Sequence, residues 1–320
     1  VRGSTIISAA VCIGGAFAAV LHGCASKYVV DAADGAPSGL PDATPTDGAP
    51  SPNDGADGAP PSTTRCTPGA AFGSPELLTE ISTTAGEPAA ALTQDELTIY
   101  FSRNGNLMLA TRATRSGPFG NEHSAGLPNG GADDNPALTF DGRRLFFSTT
   151  GRGDSGASEI FVAQVVDGGL ASVSPVRGVP PSTTDPFPNA DAGALYYSAG
   201  RDGGMADIYF ATGLGSSAVG EERLAISDVE SDGQPVLSRD ELSLYFGSRR
   251  AGSIGLSDIF VATRARVSDP FANAVSLGPV VNSASNDLPA WISSDACVLY
   301  FTSDRPGAGG RDLYRTTRGR

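Results

Sequence analysis

Hydrophobic and polar positions run along this chain in short blocks, and one block returns five times. Each copy is an apolar or aromatic triplet closed by a small or polar residue and led by an Asp four positions upstream. The copies are Asp95 before Ile99-Tyr100-Phe101-Ser102, Asp141 before Leu145-Phe146-Phe147-Ser148, and Asp191 before Leu195-Tyr196-Tyr197-Ser198. Two more follow, Asp240 before Leu244-Tyr245-Phe246-Gly247 and Asp295 before Leu299-Tyr300-Phe301-Thr302. Subtracting the Asp numbers gives steps of 46, 50, 49 and 55 residues. A period of that size built from short β-type runs predicts a propeller or another closed array. Adjacent apolar residues in the triplet predict a strand covered on both faces. The Asp ahead of it reads as a turn former that accepts a backbone N–H two residues on.

The rest of each unit is equally regular. A Pro (88, 136, 186, 235, 289) stands five to seven residues before the Asp and opens a short run that suits a first strand. A loop with Arg and Gly follows the triplet at Arg152, Arg201, Arg250 and Arg305. A third strand then opens on an acid: Glu159-Ile160-Phe161, Asp207-Ile208-Tyr209, Asp258-Ile259-Phe260 and Asp312-Leu313-Tyr314, with Asn106-Leu107-Met108 in the first unit. The loop Arg and that acid are expected to pair within the blade. Weaker fourth strands lie between units, as at Phe271–Leu277, with Phe72–Ile81 ahead of the first.

Over roughly residues 70–318 this pattern resembles the WD-like β-propeller repeats of the TolB family, Pro-x-Leu-Ser-x-Asp-Gly, Leu-x-Phe-x-Ser, Asp-Ile-Tyr. The resemblance implies an all-β propeller. Five repeats predict five blades of four antiparallel strands, where TolB-type wheels have six. The chain starts on a fourth-strand segment and ends on a third strand, so the N-terminal segment is expected to close the last blade as its outer strand, leaving no open edge. That closure would bring Cys66, just ahead of the closing strand, to Cys297 in the last blade, and a disulfide is expected there.

Composition adds an organisation in three parts. From Ile6 to Leu21 the chain is apolar and small, shorter than the ~20 residues of a membrane helix but suited to an export signal. It ends in Leu21-His22-Gly23-Cys24, which resembles a lipobox. Residues 1–23 therefore read as a lipoprotein signal peptide and Cys24 as the lipidated residue, acylated more than once for stable anchoring. The Ala and Ser after Cys24 point to outer-membrane sorting by the same resemblance. Residues 24–65 are rich in Asp, Gly, Ala and Pro and nearly free of aromatics, which predicts a disordered tether. Residues 66–320 form the propeller. The 41 Gly and 23 Pro suit many tight turns. A formal net charge of -13 without any basic run excludes nucleic acid as a partner. The expected product is a monomeric, exported lipoprotein of the bacterial cell envelope, held to the membrane by its lipid.

Candidate chemistry is sparse. Beyond the signal the only His is His123, in a loop-like stretch, and neither a Gly-x-Ser-x-Gly elbow nor zinc-ligand spacing occurs. Trp291, the only Trp, reads as core. One periodic feature points to binding: an acid lies one to three residues before each first-strand Pro, namely Glu87, Asp134, Asp185, Asp232 and Asp287. Fivefold geometry predicts these as a ring at one mouth of the channel, suited to Ca2+ or to a basic partner segment. Loop capping is the competing reading of the same residues. The chain therefore reads as a non-enzymatic module for an envelope protein or a peptidoglycan-associated partner, requiring no cofactor. A propeller glycosidase or glycan binder is the alternative, since a carboxylate pair at suitable separation would serve that chemistry.

Overall fold

The computed structural model describes residues 65–128, 130–167, 169–201, 204–215 and 220–320. The expected signal peptide, Cys24 and nearly all of the expected tether lie outside the described residues. Among the described residues, no helix is long and apolar enough to cross a membrane.

The chain enters through a short strand, β1 (Glu76–Leu77). Blade 1 follows as β2 (Ala90–Leu92), β3 (Thr98–Arg103), β4 (Asn106–Thr111) and β5 (Gly120–Ser124). Blade 2 is β6 (Ala132–Leu138), β7 (Arg144–Thr150), β8 (Ser158–Val166) and β9 (Gly169–Pro175). Blade 3 is β10 (Thr183–Pro188), β11 (Ala194–Gly200), β12 (Ala206–Thr212) and β13 (Gly220–Arg223). Blade 4 is β14 (Asp232–Leu237), β15 (Ser243–Ser248), β16 (Asp258–Thr263) and β17 (Ala272–Ser276). Blade 5 is β18 (Asp287–Ile292), β19 (Val298–Ser303) and β20 (Asp312–Thr317), with β1 as its outer strand. The five sheets are the five expected blades, and all their pairings are antiparallel.

Burial explains the order within each blade. The triplets occupy β3, β7, β11, β15 and β19, where Phe101, Leu145, Tyr197, Phe246 and Phe301 are fully covered. Both faces of these strands pack against neighbouring blades, which is why the sequence runs apolar without alternation. The outer strands β5 and β13 are exposed throughout and carry polar residues.

The repeated aspartates are turn formers, as expected. Asp95, Asp141, Asp191, Asp240 and Asp295 each accept the backbone N–H two residues on, at 2.9–3.1 Å. In four copies the same carboxylate also takes a hydroxyl from two residues back, Thr93, Thr139, Ser238 or Ser293.

Closure also follows the expectation. β1 pairs with β20, and Phe72 bridges to Arg318. Cys66 and Cys297 form a disulfide with a Cα–Cα distance of 5.6 Å. Arg65 spans the seam beside it, reaching Asp295 at 2.8 Å and Glu96 at 2.6 Å. Trp291 is core, edge-on to Tyr300.

Candidate functional site

The expected acidic ring resolves into different repeat positions. Glu87, Asp232 and Asp287 are equivalent: each lies four residues before the inner-strand residue opposite the middle of the triplet (Ala91, Val236, Trp291). In blade 2 that position is Asp133, not Asp134, and in blade 3 it is Thr183. Asp134 and Asp185 stand one and two residues further along. The Pro used to anchor the acids sits at three different positions in the five blades, so counting from it shifts the register.

The acids that do share a position are structural. Glu87, Asp133, Asp232 and Asp287 are buried and pair with Arg103, Arg152, Arg250 and Arg305 at 2.6, 2.5, 2.9 and 2.5 Å. Each guanidinium also donates to a carbonyl in the segment entering the blade, at Ile81, Pro128, Ile226 or Val281. Each lies over a ring of the triplet, Phe101, Phe147, Phe246 or Phe301. The loop Arg therefore pairs with the first strand, not with the acid opening the third strand. In blades 4 and 5 those third-strand acids hold their own loops instead, Asp258 accepting Ile254 N–H and Asp312 accepting Ala308 N–H, and in blade 3 Asp207 pairs with Arg223 of the outer strand. In blade 3, where Thr183 replaces the acid, Arg201 turns outward to Glu221 at 2.8 Å.

The channel is lined by the next layer of residues. Ala89, Asn135, Asp185, Gln234 and Pro289 occupy the same place in successive blades and border a central cavity of about 30 Å³. Asn135, Asp185 and Gln234 are held at φ of 50°, 54° and 51°, left-handed values that cost a side-chain-bearing residue energy. This kink is the bulge between first and second strands in those blades.

A serine of the preceding blade latches the kink. The Ser148 hydroxyl accepts Asp185 N–H at 3.3 Å, and the Ser198 hydroxyl accepts Gln234 N–H at 3.1 Å. At the next junction both partners are missing together: Gly247 has no hydroxyl and Pro289 no N–H. Leu288 fills the space, since a Cβ on Gly247 would lie 2.2 Å from its Cδ2. Between blades 1 and 2, Asn135 N–H goes instead to Asp134 at 2.7 Å, and the buried Ser102 hydroxyl is left without a partner. Thr302, at this place in blade 5, is orphaned in the same way. The final polar residue of the repeated block was legible as a pattern, but its role across the blade junction was not.

Asp185 is the charged member of this layer. Burial pushes its carboxyl above the usual range; hydrogen bonds from Ser198 and Thr184 oppose that, and the nearby Asp134 charge adds to it. Among the described residues no group of three or more His, Cys, Asp or Glu gathers as a metal cluster. His123 lies on the exposed β5, its Nδ1 2.7 Å from Asn121 O.

One face of the wheel carries five of the eight large apolar residues exposed among the described residues, Val166, Val267 and Val275 lying elsewhere. The loops after the triplets and the connectors between blades share this face, because the Arg–carbonyl bonds join them. Here Met205, Val229, Ile254, Leu256 and Val280 are 50, 85, 49, 62 and 53 % exposed, all in blades 3 and 4 or the connectors that follow them. Leu256 N–H bonds to Ser285 O, which ties the blade 4 loop to the connector entering blade 5.

No family model and no curated protein matches the sequence. Among solved structures the chain is similar to TolB from Acinetobacter baumannii, with a TM-score of 0.50 and 14 % identity over 75 % of this chain. It spans 56 % of that TolB chain's length. It is also similar to a putative TolB from Agrobacterium tumefaciens, with a TM-score of 0.46 and 16 % identity, covering 78 % of this chain and 91 % of that one. At these identities the likeness is one of fold: a TolB-type propeller architecture, here with five blades.

Proposed function

We propose that this chain is an exported β-propeller, tethered through a lipid on Cys24, that works by docking another cell-envelope protein rather than by catalysis. The observation that carries this reading is the apolar set Met205, Val229, Ile254, Leu256 and Val280 on one face of a strongly acidic molecule. Exposed apolar residues gathered on one face and rimmed by charge mark protein interaction surfaces. The periodic carboxylates support it from the other side, being engaged in turns and buried ion pairs. The Cys66–Cys297 disulfide fits an oxidising compartment.

Site-specific photo-crosslinking in intact cells tests the docking. A photoreactive residue at Leu256 or Val229 is expected to trap one discrete adduct, which Ile254→Asp abolishes. The same probe at Val275, on the outer strand of blade 4, is expected to trap none. Equal adducts from all three positions would remove the reading. Metabolic labelling with a fatty acid tests the anchor, with label expected on the wild type and lost in Cys24→Ala.

The glycan reading has one observation in its favour. A groove of about 510 Å³ between blades 3 and 4 is bordered by Tyr196, Phe210, Glu222, Glu241 and Asp269. Glu241 is already engaged by Ala190 N–H at 2.6 Å and by Arg264 at 3.5 Å, which leaves it poorly placed as a free acid.

A further inference from the structure

Six acids lie on or directly beside the inner strands: Glu87, Asp133, Asp134, Asp185, Asp232 and Asp287. Four of them have an arginine partner. Asp134 and Asp185 have none among the described residues; they stand on adjacent blades, Asp185 bordering the channel and Asp134 one residue before Asn135, which borders it too. The only Lys of the chain is Lys27, far outside this layer in sequence. A half-buried carboxylate at a narrow channel without a counter-charge is costly, and a second one nearby raises that cost.

The neighbouring groups are oxygen donors. Gln234 presents a buried Oε1 that makes no hydrogen bond. Asn135 donates through Nδ2 to Ser148 at 3.3 Å, which leaves its Oδ1 as the free end of the amide. The hydroxyls of Ser102 and Thr302, each 1 % exposed, stand unpartnered at the repeat position whose counterparts bond the channel-lining layer. The opposite side of the channel, Ala89 and Pro289, offers no side-chain donor. The cavity of about 30 Å³ is the size of a water molecule or a small ion, not of an organic ligand.

We propose that the channel holds one small hard cation, bound by the Asp185 carboxylate and the amide oxygens of Asn135 and Gln234, with Asp134 supplying the second negative charge. The donor set is all oxygen with two carboxylates near, which matches Ca2+ better than a soft transition metal. Water completes the shell, because the protein alone supplies fewer than the ~6–8 oxygens that Ca2+ takes. The cation would sit on the axis and tie blades 2, 3 and 4 together at the layer where the blade 4–5 latch is missing.

The test is calorimetric and thermal, on the full-length protein after chelation. Titration with CaCl2 is expected to give heat with a stoichiometry of one. A hundredfold excess over Kd should raise Tm by about 5–10 °C, since binding to the native state alone stabilises by mass action. NaCl at matched ionic strength serves as the control and should not reproduce the shift. Asp185→Asn is expected to melt higher than the wild type without Ca2+, because it removes an uncompensated charge, and to lose the Ca2+ shift. Gln234→Leu should fold and bind at least tenfold more weakly. No heat with the wild type, or the same Ca2+ shift in wild type and Asp185→Asn, overturns the proposal.

Discussion

The seam between blades 5 and 1 and the junction between blades 2 and 3 use the same repeat positions to opposite effect. At the seam, Arg112 follows the last residue of β4; it donates to Glu96 O at 2.7 Å and to the Tyr300 hydroxyl of blade 5 at 3.1 Å. Its guanidinium lies 4.3 Å from the centre of Phe119. The same clamp recurs with Arg264 beside Phe271 and Tyr196, and with Arg318 beside Phe72 and Tyr245. In blade 3 the clamp position is Gly213, seven residues later Gly220 stands where Phe119 and Phe271 stand, and the tyrosine's place in blade 2 is Phe146. The arginine, the ring and the hydroxyl are lost together. A groove of about 360 Å³, bordered by Phe146, Val162, Ala192 and Leu214, lies at that junction. Grooves border clamped junctions too, about 420 Å³ at the seam and about 510 Å³ between blades 3 and 4, so the clamp is a polar fastening and not a seal; the seam, where the ring must close on its own beginning, adds the disulfide to it.

The disulfide should dominate the difference. Cross-linking residues 231 apart removes denatured-state entropy worth about 5 kcal/mol in the chain-entropy model. Cys66→Ser with Cys297→Ser is expected to cost about 3–5 kcal/mol, or a fall in Tm of about 10 °C. Thermal melts with and without reductant should give the same loss for the wild type and none for the double variant. A change below about 2 °C would mean that β-pairing alone seals the ring, and the seam would rank with the other junctions.

The clamps come next. Arg112→Leu removes a buried guanidinium and strands the Glu96 carbonyl oxygen and the Tyr300 hydroxyl, at an expected cost of about 3 kcal/mol. Leu214→Ala at the unclamped junction should cost less than about 1 kcal/mol, because it borders a groove already present. Finer resolution comes from removing single hydroxyls. Tyr300→Phe and Tyr245→Phe each lose a bond to arginine and should cost about 1 kcal/mol. The clamp position of blade 2 is Val165, packed in the same core cluster as Tyr100, so Tyr100→Phe should be neutral within about 0.5 kcal/mol. Urea denaturation at neutral pH reads all five.

How much of this was legible in the sequence follows from which interactions are local. The Asp of each turn bonds within two residues of itself, so Asp95 through Asp295 could be assigned from spacing. The phase of the repeat located the closing strand, and with it Cys66 and Cys297. The acid–arginine pairs span about eighteen residues and cross from the loop to the first strand. Anchoring on Pro therefore selected Asp134 and Asp185 instead of Asp133 and Thr183. The clamps and serine latches join different blades, and no linear spacing reveals them. What could have been noticed was concerted loss: Gly247 with Pro289, and Gly213 with Phe146. The channel candidates Asp134 and Asp185 were named for the wrong reason, yet they are the inner-strand acids without an arginine partner among the described residues.

The smallest effect separates the two regions by charge alone. Asp295 at the seam is held well below the usual carboxylate range, first by its bond to Arg65 and then by Ser293 and Cys297 N–H against opposing burial. Asp191, in the blade 3 turn, is lowered by Gly193 N–H and Asn189 without any arginine. A carboxylate whose folded pKa is depressed contributes stability that is fully present above its unfolded value, near ~3.9, and is lost as pH falls through the folded value. Both turns should therefore weaken below about pH 4, the seam more steeply. Asn keeps the acceptor oxygen for the turn but not the charge, so Asp295→Asn isolates the Arg65 contribution. The variant's stability, followed by urea melts from pH 6 to pH 2, should fall less steeply than that of the wild type. Asp191→Asn should follow the wild-type curve more closely. Because Asp295 and Arg65 are both partly exposed, salt screens their attraction, and the difference should shrink at high ionic strength. If the two variants gave the same slope at low salt, Arg65 would be a passenger beside the disulfide, and the covalent bond with β1 would be the whole of the fastening.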